Sequence, residues 1–224
     1  MAKKKTSRAA APGEGDTAAS QAIEDILAIA TEEFALKGFS GARVDEIAER
    51  TQTSKRMIYY YFGGKEALYR AVLAKVYGDI RNREAEIHAT ELSPVEAIRR
   101  LIELTFDYDE SHVPFIRLVM NENIHRAKYL AKLPSSRNVN ASVIMTLHDI
   151  MKRGVAEGVF TNELDPLDLH LFISAFCFFR VSNQHTLKVL FGRDLAEPEM
   201  RKRHKKMLVD AVFNLLGVSA KNRG

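Results

Sequence analysis

The chain has 224 residues, 46% of them hydrophobic, and 33 Lys and Arg against 29 Asp and Glu, for a formal net charge of +4. That length and apolar content can fill a core for one large domain, or for a small domain fused to a medium one, and they exclude a disordered or fibrous chain. The charge is too mild to announce nucleic-acid binding by itself. The lone Cys177 cannot form an internal disulfide, and the most apolar run, Leu169 to Phe179, is only about half as long as a bilayer span, so the expectation is a cytoplasmic protein with no membrane segment.

Residues 1–19 carry Lys3, Lys4 and Lys5 among Ala, Gly and Ser, with no apolar core of a secretory signal, and are expected to form a disordered basic arm. From Ser20 the pattern changes. Ile23, Ile26, Leu27, Ala30 and Phe34 trace one face of an amphipathic helix ending at Gly38. Val44, Ile47 and Ala48 mark a short second helix that ends near Thr51. Ser54 can cap a third, in which Ile58 and Phe62 point inward, before Gly63 and Gly64 break the chain.

Longer helices follow. Leu68, Val72, Val76 and Ile80 lie on one; Ser93 and Pro94 begin another through Val95, Ile98, Ile102 and Phe106; Pro114 starts a segment with Ile116 and Val119. Val139, Val143, Leu147 and Met151 make the next, closing at Gly154 to Gly158. Asp165, Pro166 and Asp168 supply a cap, a pre-set φ and a first-turn acid for a helix with Leu169, Phe172, Phe176 and Phe179. Pro198 opens the last, which ends at Gly217. The expectation is an all-α fold of about nine helices. Residues 20–66 would form a three-helix DNA-binding domain, and residues 67–219 a helical bundle for effector binding and dimerisation.

The three short N-terminal helices have the lengths of a helix-turn-helix. On the third, 3.6-residue periodicity puts positions 54, 58, 61 and 62 on one side and Lys55, Arg56, Tyr59 and Tyr60 on the other. A solvated helix face would explain the cations, but not two tyrosines interleaved with them. Phosphates and base edges in a major groove use all four: Lys and Arg donate to guanine, and tyrosine hydroxyls reach phosphates. Between Arg50 and Lys65 there is no acid, so the stripe is locally positive.

Gly38-Phe39, Val44-Asp45-Glu46-Ile47-Ala48, Ser54-Lys55, Ile58-Tyr59-Tyr60-Tyr61-Phe62 and Lys65-Glu66-Ala67-Leu68, in that order and spacing, resemble the tetracycline-repressor-like (TetR) regulators. The resemblance implies that Lys55, Arg56, Met57, Tyr59 and Tyr60 touch double-stranded, palindromic operator DNA. It also implies that Lys65 grips a phosphate and that Arg43 sits near the backbone. Where that family often has threonine this chain has Ala42 and Met57, and where it has a turn glycine this chain has Gln52, so the operator cannot be inferred from relatives. Past about residue 80 the resemblance implies architecture rather than chemistry.

In the larger domain, Ile102, Phe106, Met120, Met145, Met151 and Phe176 suit an apolar pocket for a small hydrophobic or aromatic effector, with Arg117, Asn121 and His148 as polar anchors. A homodimer interface is expected from Phe172, Phe176, Phe179, Arg180, Asn183, Met207, Leu208, Ala211 and Leu215, because these faces are more apolar than one small domain can bury. Neither a cofactor nor catalysis is indicated: phosphate loops and a nucleophile elbow are missing. Outside the regulator class, the rival reading is a di-iron carboxylate bundle, for which Glu122-x-x-His125 supplies one of the two pairs needed. The expectation is a repressor released from its operator by that effector; inside the class, the rivals are an activator and a regulator that uses no ligand.

Overall fold

The computed structural model describes residues 14–133 and 136–223, and every regular element among them is helical. The chain divides into two compact units, one ending at Val72 and the other beginning at Leu73. The expected boundary after residue 66 lies slightly earlier, at the start of the helix within which the units meet. Residues 1–13 of the expected arm lie outside the described residues. The rest of that arm is already helical, because α1 runs Glu14–Gly41 rather than starting at Ser20.

In the N-terminal unit α1 is followed by α2 (Val44–Arg50), α3 (Lys55–Phe62) and the first turns of α4 (Lys65–Ala85). Gly38 interrupts α1 with φ 67° and ψ 175°, a left-handed φ open to glycine without strain, so the helix axis breaks where the sequence ended it. Ile26, Ala30 and Phe34 from α1, Val44 and Ile47 from α2, Ile58 from α3 and Leu68 and Val72 from α4 are buried. Each of these side chains larger than Ala30 contributes roughly 1.5–3 kcal/mol by leaving water. Tyr69 closes the core with its ring centroid 4.9 Å from Phe34 and 5.3 Å from Phe39. Glu33 is buried too. It accepts from the Arg43 amide at 3.2 Å and pairs with Lys37 at 3.0 Å, fixing the corner between α1 and α2.

The C-terminal unit holds the remainder of α4, α5 (Pro94–Ser111), α6 (Val113–Ile124), α7 (Ser136–Ala156), α8 (Pro166–Ser182), α9 (Gln184–Phe191) and α10 (Pro198–Leu215). With α1 to α3, ten α-helices and two 3₁₀ turns are described, against about nine expected. The unexpected one is α9, delimited by Asn183 and by Gly192 in a left-handed C-cap at φ 63°. Helix α5 is the centre of the bundle and packs on α6, α7, α8 and α10. Ile98, Ile102 and Phe106 from it meet Leu147 and Ile150 of α7, Leu169, Ile173 and Cys177 of α8 and Leu208 and Val212 of α10. Val139, also expected on the inward face of α7, has a side chain outside the described residues.

The helix starts follow the sequence signals. Ser93 accepts from the Glu96 amide at 3.3 Å, and Asp165 from Leu167 at 2.7 Å. Gly154 is obligatory for packing, because a Cβ there would come within 2.1 Å of the Phe160 ring.

Candidate functional site

The turn between α2 and α3 presents α3 by its outer face. Ser54 caps α3 by accepting from the Met57 amide at 3.2 Å, and Gly63 ends it in a left-handed conformation at φ 84°. Ile58 is fully buried, whereas Lys55, Arg56, Met57, Tyr59 and Tyr60 are exposed, with Tyr60 at 78%. Arg43, at the N-cap of α2, is exposed as well. Gln52 has φ 51°, the conformation a glycine adopts without strain, so the departure noted in the sequence sits at a position where a side chain is costly. Lys55 reaches across the turn to Asp45 at 3.0 Å and lies 5.9 Å from the centre of the Tyr59 ring; the hydrogen bond to Asp45 raises its pKa. Lys65 is directed inward more than a bare phosphate clamp would be. It donates to the Ser40 carbonyl at 3.4 Å, sits 5.0 Å from the Phe39 ring centre, and burial lowers its pKa.

The C-terminal unit contains a cavity of about 340 Å³ walled by α4, α5, α6 and α8. Its apolar wall includes Tyr77, Ile80, Phe115, Val119, Leu171 and Phe178, and its polar wall Arg81, Glu84, Thr105, Asp109 and His170. Arg81 pairs with Glu84 at 2.6 Å, and its Nε is buried with no hydrogen-bond partner among the described residues. Burial pushes the carboxyls of Glu84 and Asp109 up to about 7, against the pull of Arg81, and holds the His170 imidazole below its ordinary value.

None of the nine residues expected to line an effector pocket lines this one. Ile102 and Phe106 are sealed in the core between helices. Arg117 and Asn121 are half-buried outside the cavity, as is Phe176, whose ring meets that of His204 edge-on with centroids 6.1 Å apart. Met120 and Met145 are exposed. His148 and Met151 flank a second, smaller cavity of about 240 Å³ with Glu163 and Leu164. The reason is physical: apolar periodicity reports the faces helices press together, and pressed faces leave no room.

The Glu122 and His125 pair does not form a metal site. Glu122 is buried and accepts from the amides of Tyr129 and Leu130 at 3.2 and 2.9 Å, capping the 3₁₀ turn Leu130–Lys132, while His125 is exposed and bonds the Asn121 carbonyl. Among the described residues no group of three or more His, Cys, Asp or Glu is placed to hold a metal ion, and no helix is long and apolar enough to cross a membrane.

Residues 26–72 match the tetR family of bacterial regulatory proteins, and residues 94–212 match a tetracyclin repressor-like C-terminal domain. The chain belongs to the TetR family. It is 32% identical to the transcriptional repressor NicS of Pseudomonas putida over 80% of this chain and 84% of NicS. Against the transcriptional regulator RutR of Escherichia coli the identity is 30%, over 70% of each chain. Among solved structures, the regulator SCO4942 of Streptomyces coelicolor superposes with a TM-score of 0.63 at 26% identity, over 88% of this chain and 98% of that one. This TetR-family chain is therefore a helix-turn-helix transcriptional regulator, and the di-iron reading falls.

The regulator's expected dimer face divides in two. Phe172, Phe179, Met207 and Leu215 are exposed, Phe176, Asn183 and Ala211 are half-buried, but Leu208 and Arg180 lie inside the protomer. Leu208 belongs to the core. Arg180 donates to Glu110 at 2.5 Å, to His204 Nδ1 at 3.0 Å and to the Leu195 carbonyl at 2.8 Å, with its guanidinium 4.4 Å from the Phe106 ring centre. Helix α8 is apolar on nearly all sides. Leu169, Ile173, Cys177 and Val181, spaced four apart, are the buried stripe; Phe176 packs beside the core, Phe178 lines the cavity, and Phe172 and Phe179 are exposed. Arg81, Glu84 and Asp109 escaped the sequence reading because isolated charges on helices read as surface. Their one signal is that they interrupt otherwise inward positions: Arg81 and Glu84 follow Ile80 on α4, and Asp109 follows Thr105 and Phe106 on α5.

Proposed function

We propose that this TetR-family regulator is a homodimeric repressor that binds a palindromic operator and is released from it by a small effector. The observation that carries the DNA contact is the outer face of α3, where Lys55, Arg56, Met57, Tyr59 and Tyr60 are all exposed around the fully buried Ile58. An apolar anchor underneath holds the helix rigidly while the polar groups above it stay exposed to a groove, Lys55 after letting go of Asp45. Arg56 is the base reader, Tyr59 and Tyr60 reach phosphates, and Met57 offers an apolar surface to a thymine methyl. Arg43 and Lys65 flank the helix near the backbone, Lys65 exchanging the Ser40 carbonyl for a phosphate.

A single short recognition helix gains useful affinity only in pairs, so two protomers are needed. The exposed Phe172, Phe179, Met207 and Leu215 on α8 and α10 supply the apolar surface to join them. NicS is a repressor, which supports that sign here, and the cavity of the C-terminal unit gives an effector a place to act. For release, the effector must favour a geometry of the dimer that fits the operator poorly, and operator DNA then weakens effector binding by the same factor.

The test is binding of genomic fragments adjoining the gene. Arg56→Ala should cost about 1–3 kcal/mol of operator binding with folding intact, and adding Tyr59→Ala should weaken it further. Retention of wild-type affinity by the double variant would refute the assignment of α3.

A further inference from the structure

The cavity's polar wall says what kind of effector it takes. Its titratable and charged groups come from three helices: Tyr77, Arg81 and Glu84 from α4, Asp109 from α5 and His170 from α8, while α6 contributes the uncharged Asn123. Behind this wall, Glu110 on α5 acts on Asp109 and Glu122 on α6 acts on Tyr77. Arg81 and Glu84 cancel each other at 2.6 Å. Tyr77 is held protonated by burial and His170 neutral. Two groups keep unmet capacity: Arg81 has its Nε–H without a partner among the described residues, and Asp109, only 4% exposed, has a carboxyl that takes part in no hydrogen bond among them.

A buried carboxyl without donors is costly when ionised and in the empty cavity is relieved by taking up a proton, which agrees with the upward shift of its pKa to about 7. A ligand that brings its own N–H group can replace that proton and meet the carboxylate with a charge-assisted hydrogen bond. A ligand carboxylate meets less: the Arg81 guanidinium is shared with Glu84 and has only its Nε–H to offer, while the carboxyls of Glu84 and Asp109 on the same wall repel an anion. The rings of Tyr77, Phe115 and Phe178 offer flat apolar faces, which also suit a cationic nitrogen. At about 340 Å³ the space is at the small end of ligand sites, fit for one or two rings.

We propose that this cavity binds a small nitrogenous effector, an aromatic or short aliphatic body bearing an N–H group that donates to the Asp109 carboxylate. The proposal rests on the effector reading above and narrows it from hydrophobic compounds in general to N–H donors.

Three probes that share one ring separate the alternatives: benzylamine, benzamide and benzoate, titrated calorimetrically into the full-length dimer at pH 7.5. Benzylamine and benzamide should bind, each at least ten-fold more tightly than benzoate. Asp109→Leu, which removes the acceptor and leaves an apolar side chain, should reduce benzylamine affinity at least ten-fold while the protein still melts cooperatively. Val119→Trp, which fills the cavity from α6, should abolish binding of both. If benzoate binds best and Val119→Trp removes it, the cavity is an effector site and the nitrogenous class is wrong. Benzylamine binding unchanged in Val119→Trp, or no binding of any probe, overturns the proposal and the cavity reading together. Where Asp109→Leu fails to fold, Asp109→Asn serves instead: it keeps the shape, loses the charge, and should weaken benzylamine more than benzamide, and equal effects on the two would overturn the role of the carboxylate.

Discussion

Helix α3 and the bundle of the C-terminal unit place their polar side chains in opposite ways. On α3, Lys55, Arg56, Tyr59 and Tyr60 stand in solvent over a single buried Ile58, whereas in the C-terminal unit Arg180, Glu84, Asp109 and Glu122 are themselves buried. An exposed polar face contributes little to folding and is free to be shaped by a partner. A buried one is fixed by the fold, and every unmet hydrogen bond in it is a standing cost that a ligand can relieve. The first arrangement suits a rigid reader of a long polymer, the second a receptor for something small.

The comparison is tested most severely by two arginines. Arg180→Ala should destabilise the C-terminal unit by about 2–4 kcal/mol, because it leaves the Leu195 carbonyl without its donor beside a hole and leaves Glu110 with Arg201 alone, while Arg56→Ala should leave the melting temperature unchanged. Parallel thermal melts of the two variants decide it, and similar losses in both would dissolve the distinction.

A smaller effect lies in pH. Glu84 and Asp109 have carboxyls raised to about 7 from ordinary values of 4.5 and 3.8, so the folded state holds protons that the unfolded chain has already released. Their stabilising contribution is full below the ordinary carboxyl range and is lost as pH rises through about 7. The ligand-free protein should therefore melt at lower temperature at pH 8 than at pH 5.5, by a difference on the order of 2 kcal/mol, and Asp109→Asn should flatten the slope. A flat wild-type profile would mean that these groups are more solvated than their burial implies.

The smallest effect belongs to the N-terminal unit. Gln52→Gly should raise stability by about 1 kcal/mol by relieving the left-handed backbone between α2 and α3, measurable as a rise in denaturation midpoint with operator affinity unaltered.

How much of this was legible in the sequence follows the same division. The periodicity of Ile23 to Phe34, the capping Ser54 and the alternation around Ile58 told inside from outside on α1 to α3, because there polarity and exposure agree. Ser93-Pro94 and Asp165-Pro166 marked helix starts correctly for the same local reason. The cavity walled by α4, α5, α6 and α8 was not legible because periodicity assigns Phe106 and Met151 alike an inward role without saying whether the inside is filled: Phe106 is sealed in the core and Met151 flanks the smaller cavity. Arg180 was misplaced because a cation on an apolar face reads equally as an interface or as a buried pair, and only the position of Glu110, seventy residues earlier on α5, decides. Helix α9 was missed since Val189, Leu190 and Phe191 are exposed and show no inward stripe to detect.

Lys55 and Asp45 bear on how such a protein spends its time. If α3 reads DNA as proposed, it meets wrong sequence far more often than right, and its attraction to any duplex grows with each cation it can set against a phosphate. Lys55 arrives already engaged, so taking it leaves a carboxylate facing the phosphate backbone. On unrelated sequence that exchange returns little, and the protein departs sooner. At the operator, base contacts by its neighbours offset the exchange. On that reading the pair would trade a little affinity everywhere for shorter stays in the wrong places, and a faster search.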